Sequence, residues 1–332
     1  MDDQLNNEVR AILARVETRL QDEVASSLPF LDIAAKHIIC AGGKRFRPLL
    51  VTLCGLLGDA NADATRAKVR PHSDSRERLI DAALVVELTH VASLYHDDVM
   101  DDADVRRGVP SANARFGNSV AILVGDYLFA HASRIVAGLG ADFVRIQAQT
   151  FAALVTGQIA ELRGPSREDD PFEHYYEVLD GKTASLIATS ALFGGLIAGL
   201  DAPQVTALER FGRKLGMAFQ LADDLIDITS AAAGKPQGTD LREGVATLPV
   251  LLLNQSESLT DKLLYERILG GLAEDEIPIV LQALQGHPVV ARSREIISEW
   301  ATAARAELAT LPNTPARAAL GTLCAEAASR AS

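Results

Sequence analysis

Two clusters of aspartates with the same spacing are the residues most informative about chemistry. DDVMD at 97–101 follows an apolar segment, and DDLID at 223–227 is packed among apolar residues farther along the chain. Residues four apart lie one turn apart on the same face of a helix, where like charges repel. Carboxylate oxygens are the ligands that magnesium prefers, often together with substrate phosphates. One cluster alone would also fit a solvated helix end, but two indicate a site where magnesium assists the departure of a diphosphate.

Basic residues near these clusters are compatible with the same chemistry. Arg106 and Arg107 directly follow the first cluster, and GGKRFRP at 42–48 places cations after two glycines, which suits a diphosphate. His90 lies two helical turns before Asp97 on the same face. Each feature taken alone is more often a surface patch or a core histidine, so these residues by themselves leave the assignment open.

Helical periodicity along most of the chain predicts an all-α protein. The helix that carries the first cluster is predicted to continue to about residue 104, and polar, Gly-rich or Pro-rich loops are predicted at 58–77, 163–171 and 231–244. The uncharged stretch from 183 to 200 approaches the length of a membrane span, but its Thr, Ser and Gly residues favour a buried core helix. No linker-like stretch interrupts 1–332, which predicts a single domain. The predicted helices are 3–27, 31–40, 47–57, 78–104, 119–138, 141–161, 171–180, 183–199, 203–231, 245–253, 259–269, 273–285, 288–309 and 315–329.

The overall composition limits the class of function. The net charge of −12 argues against nucleic acid as a partner, and 48% hydrophobic residues are enough for a sizeable core. The three cysteines have no metal-ligand spacing and are predicted to be core residues in a reducing compartment. MDDQLNNEVR at the start lacks the features of a signal peptide, so we expect a cytoplasmic protein without a transmembrane segment.

In combination, these motifs resemble those of the trans-polyprenyl diphosphate synthase family. DDVMD and DDLID look like its two aspartate-rich motifs, GGKRFRP like its isopentenyl diphosphate loop, and GKTASL at 181–186 and GKPQGTDLREGVATLP at 234–249 like further motifs of the family. The resemblance covers roughly residues 40–250. It implies a large antiparallel helical bundle of the isoprenoid synthase type with a central cavity, usually dimeric.

The resemblance also implies a role for each matching residue. The prenyltransferase would condense isopentenyl diphosphate with an allylic diphosphate by ionisation, condensation and elimination, with about three Mg²⁺ ions per active site. The metal ligands would be Asp97, Asp101 and Asp223, supported by Asp98, Asp224 and Asp227. Isopentenyl diphosphate would be bound by Lys44, Arg47, His90 and Arg107, and the allylic diphosphate by Arg106, Lys182, Thr183, Gln220 and Lys235. The residues expected to act in catalysis are Asp97, Asp98, Asp101, Arg106, Lys182, Asp223 and Lys235.

Product length is predicted from the residues just before the first cluster. In the family these residues shape the elongation pocket, and here Ala92 and Ser93 are small. Closure would then come from farther down, from the helix with Tyr127 and Phe129. This favours a long-chain product for quinone side chains, with geranylgeranyl diphosphate synthesis as the alternative. The direction of the Tyr95 side chain decides how much room remains.

Other functions fit the sequence less well. A class I terpene cyclase shares the first motif but would carry a different second metal site, and a metal phosphohydrolase would leave GGKRFRP without a use. A non-catalytic subunit of a two-component synthase would be expected to have lost its acidic motifs. The C-terminal LCAEAASRAS has Arg330 as its one basic residue, unlike the basic tail of farnesyl synthases. We expect a homodimer, and product delivery at a membrane surface.

Overall fold

The computed structural model describes residues 3–58, 72–229 and 237–330. These residues are helical apart from loops and one antiparallel pair of short strands, β1 (Val105–Arg106) and β2 (Val109–Pro110). The all-α prediction is therefore confirmed. The helices are α1 (Asp3–Glu23), α2 (Pro29–Cys40), α3 (Phe46–Gly55), α4 (His72–Met100), α5 (Ala112–Phe116), α6 (Asn118–Leu139), α7 (Ala141–Arg163), α8 (Pro171–Leu179), α9 (Ser185–Ile197), α10 (Ala202–Thr229), α11 (Thr239–Arg242), α12 (Leu248–Gln255), α13 (Leu259–Leu269), α14 (Ile277–Gln285), α15 (Pro288–Glu307) and α16 (Pro315–Ser329).

Two further helical turns complete the secondary structure. A π-helical turn, Asp180–Ala184, joins α8 to α9, and a 3₁₀ turn, Leu308–Thr310, follows α15.

The chain divides into two compact units. Unit 1 comprises Met1–Ala152, Leu186–Gly212 and Leu308–Leu320. Unit 2 comprises Ala153–Ser185, Arg213–Glu307 and Gly321–Ser332. The first acidic cluster belongs to unit 1 and the second to unit 2. The single domain over 1–332 stays a prediction.

Unit 1 is built around α4. This helix packs against α1, α3 and α6, and nearly every side chain from Leu79 to Ala92 is buried. A helix that is apolar all round suits a core position, which explains the uninterrupted run of apolar residues before the first acidic cluster. The direction of Tyr95 is also settled here, because its hydroxyl donates to the carbonyl oxygen of Ala34 at 2.6 Å. Tyr95 thus points into the contact with α2.

Unit 2 has its own apolar core, to which α10 contributes. The side chains of Leu221, Ala222, Leu225 and Ile228 are buried in this core together with residues of α12, α14 and α15. These positions share one face of α10, which anchors the helix while Asp223 and Asp227 stay partly exposed. The apolar residues around the second acidic cluster therefore fix its orientation.

Several predicted boundaries are wrong for physical reasons. The helix that carries the first cluster begins at His72, so 72–77 is not loop, and it ends at Met100 rather than near 104. The helices predicted at 245–253 and 273–285 begin at Leu248 and Ile277, next to Pro249 and Pro278. Proline is favoured in the first turn of a helix, so these prolines could have located both starts. The short helices α5 and α11 and the strand pair were not predicted.

The buried-helix interpretation of 183–200 is confirmed, because most side chains of this stretch, which includes α9, are buried. By length and composition alone, among the described residues only α6 would be able to cross a membrane, and 39% of its apolar window is buried. Cys54 and Cys324 are buried as predicted, but Cys40 is exposed, so its assignment to the core is wrong.

Candidate active site

The first acidic cluster lies where α4 ends. Because the helix stops at Met100, Asp101 lies in the following turn, and its N–H donates to the carbonyl oxygen of Asp97 at 2.8 Å. Asp102 adopts a φ of 47°, which turns the chain away from the helix axis. Asp97 is half-buried and Asp101 is exposed, so both carboxylates reach solvent at the end of a buried helix.

Asp98 is fully buried beside them. Its Oδ1 accepts a hydrogen bond from Nε of Arg106 at 2.6 Å, whereas its Oδ2 is buried without a hydrogen-bond partner among the described residues. Burial raises the pKa of Asp98, and the guanidinium of Arg106 opposes that rise. Arg106 reaches Asp98 from β1, because the strand pair folds the chain back after α4 ends at Met100.

Arg45, just before α3, and Arg47, in the first turn of α3, have different surroundings. Arg45, at a φ of 47°, caps α3 and binds carboxylates on both sides, with Nε 2.7 Å from Oε2 of Glu17 and Nη1 2.9 Å from Oε1 of Glu87. Glu87 lies buried on α4 and is also 3.7 Å from Nη2 of Arg107. Neither glutamate was predicted from the sequence, although a charge inside the apolar run VVELTHVA was a usable signal for Glu87.

Arg47 has a buried donor without an acceptor. Its Nε has no hydrogen-bond partner among the described residues, and burial lowers the pKa of Arg47 to about 10. Burial, followed by the charge of Arg47, lowers the pKa of His90 to well below its ordinary value. A guanidinium that stays charged and an imidazole that stays neutral therefore lie close together in unit 1. Lys44, three residues before Arg47, is exposed.

Arg107 lies close to the glycine loop. Its Nη1 donates to the carbonyl oxygens of Ile38, at 3.1 Å, and Gly42. A Cβ at Gly43 would lie 3.0 Å from Cζ of Arg107, so a glycine is needed where the guanidinium approaches the backbone. The structure thus brings Arg47, His90, Arg106 and Arg107 together near the first acidic cluster.

In unit 2, the buried Asp224 is held by neutral donors. Its Oδ2 accepts from the hydroxyl of Tyr175, and its Oδ1 accepts from Nε2 of Gln220 at 2.8 Å. Oγ1 of Thr183 donates in turn to Oε1 of Gln220 at 2.9 Å. Burial raises the pKa of Asp224 to about 6. Tyr175 was missed because only the folded chain brings α8 beside α10.

Lys182 lies on the π-helical turn between α8 and α9. The N–H of Ser185 donates to the carbonyl oxygen of Asp180, the five-residue spacing of a π turn, and such turns are frequent at functional sites. The ammonium of Lys182 pairs with Glu161 on α7. A Cβ at Gly157 would lie 2.5 Å from the backbone nitrogen of Lys182, so this glycine allows α7 to approach the turn closely.

The other two aspartates of the second cluster have separate partners. Oδ1 of Asp223 lies 2.9 Å from Nη2 of Arg330, and Oδ2 of Asp227 accepts the backbone N–H of Asp240 at 3.2 Å. Burial, together with the charges of Asp224 and Asp227, raises the pKa of Asp240 to about 8. Asp240 and Arg330 were not predicted as site residues. Lys235 lies outside the described residues.

The two clusters offer the donor atoms that a hard divalent cation takes. All six predicted ligands are carboxylates, four of them reach solvent, and the buried Oδ2 of Asp98 lacks a partner among the described residues. No three His, Cys, Asp or Glu side chains within those residues already converge as a metal site. Magnesium is often held by one or two carboxylates with substrate phosphates and water, so this arrangement fits a metal that binds together with a diphosphate.

The residues assigned to product length are also placed. Ala92 is fully buried, and the hydroxyl of the half-buried Ser93 donates to the carbonyl oxygen of His90 at 2.9 Å. The ring of Phe129 packs against that of Phe151 in a tilted arrangement, with centroids 4.3 Å apart. The hydroxyl of Tyr127 instead lies 3.4 Å from the carbonyl oxygen of Val24.

Comparison with known proteins agrees with this chemistry. The profile of the polyprenyl synthetase family matches residues 29–284. The chain is 45% identical to nonaprenyl diphosphate synthase from Mycobacterium tuberculosis over 95% of this chain and 91% of that protein. It is 36% identical to heptaprenyl diphosphate synthase component 2 from Geobacillus stearothermophilus, over 93% and 92%.

A solved structure gives the corresponding result for the fold. Geranylgeranyl pyrophosphate synthase from Corynebacterium glutamicum, complexed with calcium and isoprenyl diphosphate, is 40% identical, with a TM-score of 0.85 over 99% of this chain and 98% of that one. This likeness confirms the predicted isoprenoid synthase fold. The chain belongs to the polyprenyl synthetase family, as its motifs predict, and its function is that of a prenyltransferase.

Proposed function

We propose that this chain condenses isopentenyl diphosphate with an allylic diphosphate and releases a long-chain polyprenyl diphosphate. The observation that carries the proposal is the buried Nε of Arg47, which has no acceptor among the described residues and lies close to Arg107 and His90. A buried donor without an acceptor is costly. A diphosphate would supply that acceptor, because planar guanidinium groups bind phosphate oxygens through paired hydrogen bonds.

In unit 1, the proposed ligands of isopentenyl diphosphate are Lys44, Arg47, His90 and Arg107. Because burial keeps His90 neutral, its ring can donate one N–H to a phosphate oxygen without adding charge. Arg47 keeps its charge at neutral pH even with its pKa at about 10. Arg45 has a different role, because it already forms ion pairs with Glu17 and Glu87, which hold the loop before α3 in place.

From the motif resemblance, the allylic diphosphate is proposed to be bound by Arg106, Lys182, Thr183 and Gln220. Lys182 now pairs with Glu161, so binding would exchange one anionic partner for another. Thr183 and Gln220 are already joined by a hydrogen bond, which fixes their polar atoms beforehand. We assign the same role to Lys235 from the motif GKPQGTD.

Magnesium dependence is part of the proposal. Asp97, Asp101 and Asp223 would be the main ligands of about three Mg²⁺ ions, with Asp98, Asp224 and Asp227 in support. Bound magnesium supplies positive charge that stabilises the departing diphosphate. Calcium in the related synthase from C. glutamicum supports a divalent ion.

The protein's own groups then direct the reaction. The C–O bond of the primer breaks with its electron pair on the diphosphate, which Lys182 and Arg106 would hold in place. The double bond of isopentenyl diphosphate attacks the allylic carbon, and the proton lost from its C2 goes to the departed diphosphate. No side-chain nucleophile is required. Apolar side chains around the growing isoprenoid must exclude water from the allylic carbocation.

A long product is supported by small residues before the first cluster and by the turned-away Tyr95. The hydroxyl of Tyr95 donates to α2, so this bulky side chain, whose direction the sequence left open, points toward α2. The aromatic pair Phe129 and Phe151 is the proposed limit to growth, since Tyr127 is occupied elsewhere. Geranylgeranyl diphosphate synthesis is the second candidate, favoured by the 40% identity to the C. glutamicum enzyme.

We further propose a cytoplasmic homodimer of single-domain subunits that hands its product over at a membrane surface. In unit 1, exposed apolar side chains are found on α6 and on the first part of α7, namely Ile122, Leu123, Val144 and Phe151. Such side chains mark interaction surfaces when they cluster. A subunit interface would cover them and would explain why α6 is so apolar while most of it is unburied.

The test is a chain-elongation assay. The pure protein is incubated with labelled isopentenyl diphosphate, magnesium and, in turn, dimethylallyl, geranyl, farnesyl or geranylgeranyl diphosphate, and the products are sized. Products longer than geranylgeranyl diphosphate are expected. Failure to elongate any primer would contradict the synthase function, and a product no longer than geranylgeranyl diphosphate would contradict the argument on pocket size alone.

A further inference from the structure

Arg330, at the end of α16, contacts the second acidic cluster in two ways. Its Nη2 lies 2.9 Å from Oδ1 of Asp223, and its Cζ lies 4.5 Å from the centroid of the Phe219 ring. Phe219 and Asp223 are four residues apart on α10, so the guanidinium lies along one helical turn, over the ring and against the carboxylate. Two independent contacts therefore define one position for this side chain.

The position has a consequence for cation binding. A guanidinium at 2.9 Å from the carboxylate and a divalent cation bound to the same carboxylate repel each other. We propose that Arg330 is a tethered counter-cation that competes with divalent metal for Asp223, so that the C-terminal end of α16 helps to set the metal requirement. The inference rests on the proposed role of Asp223 as a metal ligand.

The ion pair of Arg330 and Asp223 is partly exposed to solvent, so a bound metal ion can displace Arg330. The side chains of Arg330 and Asp223 are 28% and 38% exposed, and ion pairs with such exposure shift an equilibrium by only a few-fold. The pair in unit 1 differs, because Asp98 is fully buried under Arg106 and would be left as a bare buried charge if the pair opened. Competition of this kind therefore concerns Asp223 and not the first cluster.

The experiment measures metal binding without substrate. Free Mn²⁺ is followed by electron paramagnetic resonance while the protein is titrated, for the unaltered chain, Arg330→Gln, Arg330→Lys and the control Arg145→Gln. Arg145 is 61% exposed in unit 1, so its loss changes net charge equally without touching the cluster. We expect Arg330→Gln to bind Mn²⁺ about two- to fivefold more tightly, and the other two variants to bind like the unaltered chain.

A second readout follows the C-terminal segment itself. Adding Mn²⁺ should raise amide hydrogen exchange in the last turn of α16 of the unaltered chain, because Arg330 loses its partner. The same addition should change nothing there in Arg330→Gln. The gain in affinity should shrink at high salt, since a screened ion pair competes less.

The outcomes separate this inference from the proposed function. Equal Mn²⁺ affinity of Arg330→Gln and Arg145→Gln, in a chain that elongates normally, overturns the competition alone. The same gain in Arg145→Gln as in Arg330→Gln also overturns it, since net charge would then be the cause. A chain that elongates no primer overturns the proposed function, whatever its affinity for Mn²⁺.

Discussion

The acidic cluster of unit 1 lies near several guanidinium groups, whereas that of unit 2 lies among carboxylates and neutral donors, with Arg330 against Asp223. Asp98 faces the charge of Arg106. Three further arginines lie close to His90, which is on the same helix as Asp98. Asp224 is instead held by the uncharged side chains of Tyr175 and Gln220. The spacing DDxxD is identical in the two clusters, so they differ in the backbone that carries them, since α4 ends within the first cluster and α10 continues through the second, and in what surrounds them.

This difference separates two tasks. An excess of buried cations prepares unit 1 to bind an anion, and the buried Nε of Arg47 is the clearest sign of it. Burial, followed by the charges of neighbouring carboxylates, raises the pKa of Asp224 and Asp240, and the carboxylates gathered there prepare unit 2 to bind cations. Affinity for isopentenyl diphosphate should therefore respond mainly to changes in unit 1, and the pH dependence of stability mainly to changes in unit 2.

Removing one carboxylate from each cluster should have the largest effect. Asp97→Ala and Asp223→Ala are each expected to lower kcat by about 10³-fold, because the departing diphosphate loses charge stabilisation. Circular dichroism and Tm should stay close to those of the unaltered chain. Asp142→Ala, an 83% exposed carboxylate in unit 1, is the matched control and should be neutral. Near-normal turnover of both cluster variants would remove the metal-assisted mechanism.

Arg45, just before α3, and Arg47, in its first turn, should respond differently to substitution. Arg47→Gln is expected to raise KM for isopentenyl diphosphate about 10- to 100-fold, because the variant loses hydrogen bonds to a charged ligand. Its free energy of unfolding should change little. Arg45→Gln should leave Glu87 buried without its main partner and lower the free energy of unfolding by about 2–4 kcal/mol. Steady-state kinetics and urea unfolding of both variants make the comparison. A raised KM in both, with equal stability, would refute the separation of roles.

Asp240 should make the stability of unit 2 depend on pH. Its pKa is raised to about 8 in the fold, against about 3.9 in an unfolded chain, so the folded protein keeps a proton that the unfolded chain has lost. Stability should therefore fall as pH rises from about 4 to about 8, and the full cost is present above pH 8. Asp240→Asn removes that cost.

We expect this variant to gain about 1–3 kcal/mol in free energy of unfolding at pH 8.5 and clearly less at pH 5.5, a modest range because the side chain is only half-buried. Urea unfolding at both pH values checks this. Asp142→Asn, which is exposed, should show no such difference. A gain that is equal at the two pH values would show that burial of Asp240 does not oppose its ionisation.

Tyr175→Phe should have the smallest effect. The buried Asp224 loses one of two neutral donors, so the magnesium concentration for half-maximal rate should rise about two- to tenfold. Tyr176→Phe is the matched control, because this neighbour on α8 contacts Trp300 edge-on, whereas it is Tyr175 that donates to Asp224. Equal magnesium dependence of the two variants would mean that Tyr175 only fills space.

The sequence predicted well the features that depend on local spacing. Two DDxxD clusters, the glycine loop at 42–43 and the long helices all follow from periodicity and residue type. It did not predict Glu87, Tyr175 or Arg330, because each becomes a site residue only through a contact distant in the chain. The strand pair of Arg106 was missed because two short strands leave no periodic pattern.

The π-helical turn at Asp180–Ala184 has a consequence for the evolution and engineering of this chain. Such a turn amounts to one residue inserted into an α-helix, which shifts the helical register between the end of α8 and the start of α9. Deleting one residue there would restore the ordinary register and rotate everything on one side by about 100°. Either Lys182 or the apolar side chains of α9 would then no longer point in their present direction. Geometry therefore constrains the length of the chain at this point, and length changes there should be tolerated far less than substitutions.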